Sequence, residues 1–189
     1  AISPRGPRRI RTATVTSMSD SSLNYTAGYD EQGAFVRRDS AFRRWVSADG
    51  STGFPAQAGR YHLYVSLACP WAHRAVIMRH LKGPERVISL SVVDPIRDEL
   101  GWAFREVPGA GPDPINGFAY LSEAYVATEA GYTGNVTVPV LWDTETRQIV
   151  NNESSEIIRM LNSAFDDLTD VTDDYFPAAL RDEIAAVNA

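Results

Sequence analysis

The segment "RYHLYVSLA" (60–68) alternates: Leu63, Val65 and Leu67 share one face, and His62, Tyr64 and Ser66 share the other. A period of two predicts a strand. The pattern changes at Cys69-Pro70, and "WAHRAVIMRHLKG" then reads as a helix. Proline suits the first helical turn, where no backbone donor is needed, and Gly83-Pro84 ends the helix. "RVISLSVV" is β-branched and predicts a second, buried strand. "VPGAGPDPING" is a loop, and "FAYLSEAYVATEA" predicts a helix ending near Gly131. "VTVPVLWD" predicts a third strand with Pro139 inside it, and "RQIV" a short fourth strand after the polar "TET". "NNESSEIIRMLNSAF" predicts a last helix. Asn152 can cap it, and Ile157, Ile158, Leu161 and Phe165 form its apolar stripe.

The element order is β-α-β-α-β-β-α. Strands joined by helical crossovers make a mixed sheet covered by helices, so the class is α/β and the arrangement thioredoxin-like. This domain is expected over 59–166. Residues 21–58 have weak periodicity and many Gly, Ser and Asp, and read as an extended arm with ordered pieces around "FRRWV". Residues 1–20 hold four arginines before the first acid, Asp20, and read as a basic tail or a transit-peptide remnant. Residues 167–189 begin with the acidic "DLTDVTDDYFP", expected to be a solvated linker rather than a metal loop, and close with the start of a helical domain.

Composition narrows the function. The chain has 189 residues, 44% of them hydrophobic and 22% charged, which suits one globular domain with tails. No apolar run is long enough to span a bilayer, so no membrane partner is expected. The net charge of −6 argues against nucleic acid, because phosphate backbones are held by a broad positive field. One cysteine excludes an internal disulfide framework. It fits a reducing, cytoplasmic setting; the basic N-terminus holds open a plastid or other organelle.

That cysteine is the first candidate for chemistry. A lone cysteine is otherwise a small core residue, but Cys69 stands where a strand passes into a helix. Unpaired backbone N–H groups and the positive end of the helix dipole there favour the thiolate, the reactive form. His73 and Arg74, one turn along, are candidates for thiolate support. A dithiol motif needs a second cysteine at the position of Ala72, so any mixed disulfide on Cys69 must be resolved by an outside thiol such as glutathione. Pro139 interrupts a strand, and a bend or cis bond there turns the backbone of Val138 toward an extended ligand; an edge-strand proline is the plainer reading. At "NNESSE", Glu153 and Ser154 offer a carboxylate, a hydroxyl and helix N–H groups, although capping alone also explains them. Trp102 is a candidate stacking surface or a core residue. No His, Asp, Glu or Cys set has metal-ligand spacing, so no metal is expected.

Together, "GRYHLYVSLACPWAHRAVIMRHLKG", "SVVDP", "GWAF", "VTVPVLWD" and "IVNNESSEIIRMLNSAFD" resemble the glutathionyl-hydroquinone reductases, or xi-class glutathione transferases. The resemblance runs from about residue 20 to the C-terminus. It implies that Cys69 is the catalytic cysteine, that Trp102 packs on glutathione, and that the backbone of Val138, before a cis Pro139, holds its cysteinyl part. It implies that Glu153 and Ser154 hold the γ-glutamyl end. The implied co-substrate is glutathione, the implied substrates are glutathionyl-hydroquinones, and the implied assembly is a homodimer. Two departures stand out. No Lys or Arg occurs between Arg105 and Arg147, and Asn135 stands where members often carry arginine. "FPAALRDEIAAVNA" resembles the linker and first turns of the family's C-terminal helical domain, whose remainder is not in this chain. Two alternatives stay open: a general monothiol (omega-like) thioltransferase, and a non-catalytic glutathione-binding fragment.

Overall fold

The computed structural model of the chain describes residues 32, 39–83 and 86–188. The basic segment 1–20 lies outside them. Strand β1 (Tyr61–Val65) is followed by helix α1 (Pro70–Leu81), strand β2 (Ser89–Val92), helix α2 (Ser122–Thr128), strands β3 (Val140–Asp143) and β4 (Gln148–Asn151), helix α3 (Ser154–Ser163) and a last short helix, α4 (Arg181–Val187). The sheet order is β2-β1-β3-β4. β1 pairs parallel with β2 through the α1 crossover and antiparallel with β3, and β3 and β4 form an antiparallel hairpin. The α/β, thioredoxin-like order expected from the pattern is the order found.

Several local expectations are corrected. β1 stops at Val65, and Leu67 is exposed rather than sharing an inward face. β1 is also buried on both sides. On one side Tyr61 meets Phe165 edge-on at 5.9 Å. On the other, the connection 93–121 roofs the sheet. The Tyr64 hydroxyl donates to Asp113 at 3.0 Å, and Phe104 packs edge-on against the Tyr64 ring at 5.3 Å. An inner strand covered on both faces needs no polar side, so its alternation does not report exposure. β2, expected to be buried, is the edge strand, and Ser89 is exposed. β3 begins after Pro139, not around it, which suits a residue with no donor for the ladder.

Of the arm, residues 32 and 39–58 are described, and 39–58 pack against the sheet domain. Phe42, Val46 and Phe54 are buried in the core. Arg43 forms an antiparallel bridge with Asn151, and the Arg44 N–H donates to the Val150 carbonyl at 2.9 Å. Arg43 also pairs with Glu156 of α3. A buried ion pair closes the other end of the sheet. Arg60 donates from Nε and Nη2 to the two carboxylate oxygens of Asp143, at 3.0 and 2.6 Å.

The acidic segment after α3 is largely exposed and is tied to the body at a few residues. Lys82, buried at the end of α1, donates to the Asp173 carbonyl at 2.6 Å and lies 2.9 Å from Asp166 Oδ1. Asn162 of α3 donates to Asp174 at 2.7 Å and accepts from the Tyr175 N–H at 2.8 Å.

Candidate active site

Cys69 is the N-cap of α1, with extended backbone (φ −102°, ψ 117°) and Pro70 in the first turn. Its side chain is half-buried, and its carbonyl accepts the His73 N–H at 3.0 Å. The β1 strand therefore delivers the sulfur to the end of α1 where unpaired N–H groups converge. The Cys69 Sγ–H points at the Val138 carbonyl, 3.7 Å away. The Val138–Pro139 peptide bond is cis.

Tyr125 braces the approach to Val138. Its hydroxyl donates to the Thr137 carbonyl at 2.9 Å and accepts the Thr137 N–H at 3.1 Å. Complete burial drives the Tyr125 phenol upward, so it stays a neutral donor and acceptor. Asn152 serves the same brace rather than capping α3. Its amide donates to the Tyr125 hydroxyl at 3.1 Å, and its carbonyl oxygen accepts the Phe42 N–H at 2.9 Å.

The cap of α3 is Glu153, whose Oε1 accepts the Ser155 N–H at 3.2 Å and the Ser155 hydroxyl at 2.9 Å. Next to it, Ser154 accepts two bonds from Arg74 of α1, from Nε at 3.0 Å and Nη2 at 2.6 Å. Arg74 Nη2 is also 3.6 Å from Glu153 Oε1. Packing of α1 against α3 thus brings Cys69, Arg74, Glu153 and Ser154 onto two adjoining helix starts. His73 is exposed. Trp102 is half-buried on the connection between β2 and α2, with the Arg97 guanidinium 5.2 Å from its ring centre. Its carbonyl accepts the Leu121 N–H at 2.9 Å, which anchors that loop to the start of α2. No cluster of three or more metal-ligating side chains occurs among the described residues, and none of their helices is long and apolar enough to cross a membrane.

The comparisons with known proteins agree with this geometry. Residues 68–164 match the family "Glutathione S-transferase, N-terminal domain". The glutathionyl-hydroquinone reductase PcpF of Sphingobium chlorophenolicum is 51% identical over 86% of this chain and 52% of its own length. The glutathione-bound structure of YqjG, a glutathione transferase homolog from Escherichia coli K-12, is 52% identical and superposes with a TM-score of 0.76, over 78% of this chain and 50% of that one. The xi glutathione S-transferase of Phanerochaete chrysosporium is 46% identical with a TM-score of 0.78, over 82% of this chain and 53% of that one. The chain belongs to the glutathione S-transferase family by its N-terminal domain, and it is similar to members of the xi class. It spans about half the length of the curated relatives it matches.

Proposed function

We propose that this chain carries the glutathione site and nucleophile of a glutathionyl-hydroquinone reductase. The observation that carries the reading is the half-buried Cys69 thiol at the start of α1, in a chain half identical to proteins of that name. In the proposed reaction the Cys69 thiolate attacks the sulfur of a glutathionyl-hydroquinone. The sulfur–carbon bond breaks, the ring carbon takes the electron pair and a proton, and free hydroquinone leaves. Cys69 then holds glutathione as a mixed disulfide. The thiolate of a second glutathione attacks that disulfide, releasing glutathione disulfide and the Cys69 thiolate. The conjugate's own sulfur and the second glutathione's thiol are thus oxidised to glutathione disulfide, and the ring carbon takes up the two electrons.

The other residues bind. The Val138 backbone pairs with the cysteinyl part of glutathione, the start of α3 with Glu153 and Ser154 takes the γ-glutamyl end, and Trp102 packs on the peptide. A cysteinyl N–H that takes the Val138 carbonyl replaces the thiol as its donor. The sulfur then gives up that partner and faces the N–H groups of α1. Arg74 supplies positive charge beside Ser154, in a chain with no Lys or Arg from 106 to 146.

The test is release of free hydroquinone from a glutathionyl-hydroquinone with added glutathione, beside Cys69→Ser. Turnover is expected with Cys69 and none with serine. A Cys69–glutathione adduct by mass spectrometry without turnover marks a working nucleophile without an acceptor pocket. Failure to form the adduct overturns the reading. Equal turnover of unrelated small mixed disulfides favours a general thioltransferase instead.

A further inference from the structure

The arm reaches the start of α3 at one side chain that the sequence does not single out. The Ser40 hydroxyl donates to Glu153 Oε2 at 2.9 Å and lies 3.3 Å from the Asn152 carbonyl. Its position is fixed by the backbone two residues on. The Phe42 N–H donates to Asn152 Oδ1 at 2.9 Å, and the Asn152 N–H donates to the Phe42 carbonyl at 3.0 Å. Ser155 holds the first carboxylate oxygen of Glu153 and Ser40 the second, so both ends of that group are tied.

The tie matters because a cation stands beside it. Arg74 Nη2 pairs with Glu153 Oε1 at 3.6 Å, and its Nε and Nη2 donate to the Ser154 hydroxyl. If Glu153 turned, the two charges would close into a bidentate pair, the strongest arrangement open to them. Such a pair masks the negative charge an ammonium needs and the positive charge a carboxylate needs. A γ-glutamyl end carries both groups on one carbon. We propose that Ser40 is a positioning residue for glutathione binding: by tying Oε2 of Glu153 it keeps the contact with Arg74 one-sided and long, so that the start of α3 presents a carboxylate and a guanidinium side by side to the γ-glutamyl zwitterion. The inference rests on the glutathione reading above and assigns a role to the arm.

The test compares two ligands by calorimetry on the full chain: glutathione, and cysteinylglycine, which lacks the γ-glutamyl group. Ser40→Ala is expected to weaken glutathione roughly tenfold, the size of one bond to a charged group. It should leave cysteinylglycine binding and the rate of Cys69 alkylation by iodoacetamide unchanged. Ser40→Thr, which keeps the hydroxyl, should bind both ligands as the parent does. Equal weakening of both ligands, no weakening of either, or equal loss in the threonine variant overturns the proposal. If the alanine chain does not fold, the isosteric pair Ser40→Thr and Ser40→Val repeats the comparison. A parent chain that binds glutathione no better than cysteinylglycine overturns the γ-glutamyl site itself, and the role of Ser40 with it.

Discussion

Arg74 is the side chain for which the fold adds a second candidate role. The sequence places it one turn beyond Cys69, where its charge is a candidate for thiolate support. Its nitrogens donate to Ser154 on the neighbouring helix. Binding and nucleophile support make different predictions. Arg74→Met should raise the glutathione KM roughly tenfold through loss of a charge-assisted bond. It should change the iodoacetamide rate of Cys69 little at a fixed pH. A large fall in that rate with an unchanged KM would return Arg74 to the thiolate. Cys69 itself was legible, because a proline after a cysteine at a strand end marks a helix start. Glu153 and Ser154 were legible for the same reason, as polar residues before an apolar stripe. Ser40 was not: its partner is 113 residues away, and nothing local distinguishes it from other serines of the arm.

At the scale of elements, α1 and α3 fix the site, and the segment after α3 is tied across both. Lys82 at the C-terminal end of α1 is fully buried, so its ammonium depends on Asp166 and the Asp173 carbonyl. Lys82→Ala should cost about 2 kcal/mol, less than a fully buried pair because Asp166 is partly exposed. Urea unfolding should show that loss, and limited proteolysis should cut 166–176 faster. Unchanged cleavage would mean that Asn162 alone holds the segment. This is also where sequence reading stops. The acidic run "DDLTDVTDDY" has the composition of a solvated linker, and composition is blind to a lysine 84 residues from Asp166 that burial forces to find partners. The helices were readable because capping and a 3.6-residue stripe are local. Leu67 as a strand residue and Asn152 as a cap are not found for one reason: tertiary neighbours decide where a strand ends and which amide is taken. Asn152 is claimed by Phe42 and Tyr125 before α3 can use it.

Across the whole molecule, buried titratable groups set the pH range in which the fold holds. Burial pushes His62 down to about 4, from an ordinary value of about 6.5. Between those values the unfolded chain binds a proton that the folded chain refuses. The stability from neutral His62 is therefore complete above about pH 6.5 and falls by about 3 kcal/mol as pH drops to 4. Asp143 adds to this limb. Burial by itself would raise its carboxyl, but the Arg60 guanidinium, the Thr146 hydroxyl and the Glu145 N–H together hold it below the usual range. Its contribution is present above the ordinary carboxylate value and lost as pH falls further. At the alkaline end, burial raises the phenols of Tyr61, Tyr64 and Tyr125, so the unfolded chain loses protons first and stability falls above about pH 10. The urea midpoint should therefore be flat from about pH 7 to 9 and decline on both sides. His62→Gln removes the group that titrates between 4 and 6.5, so it should flatten that part of the acid limb while leaving the decline below pH 4 to Asp143. An acid limb unchanged in the glutamine variant would place the sensitivity on the carboxylates alone, including the Arg43–Glu156 pair that fastens the arm to α3. In that case acid below the ordinary carboxylate value should detach the arm first, and glutathione affinity should fall at a higher pH than global unfolding.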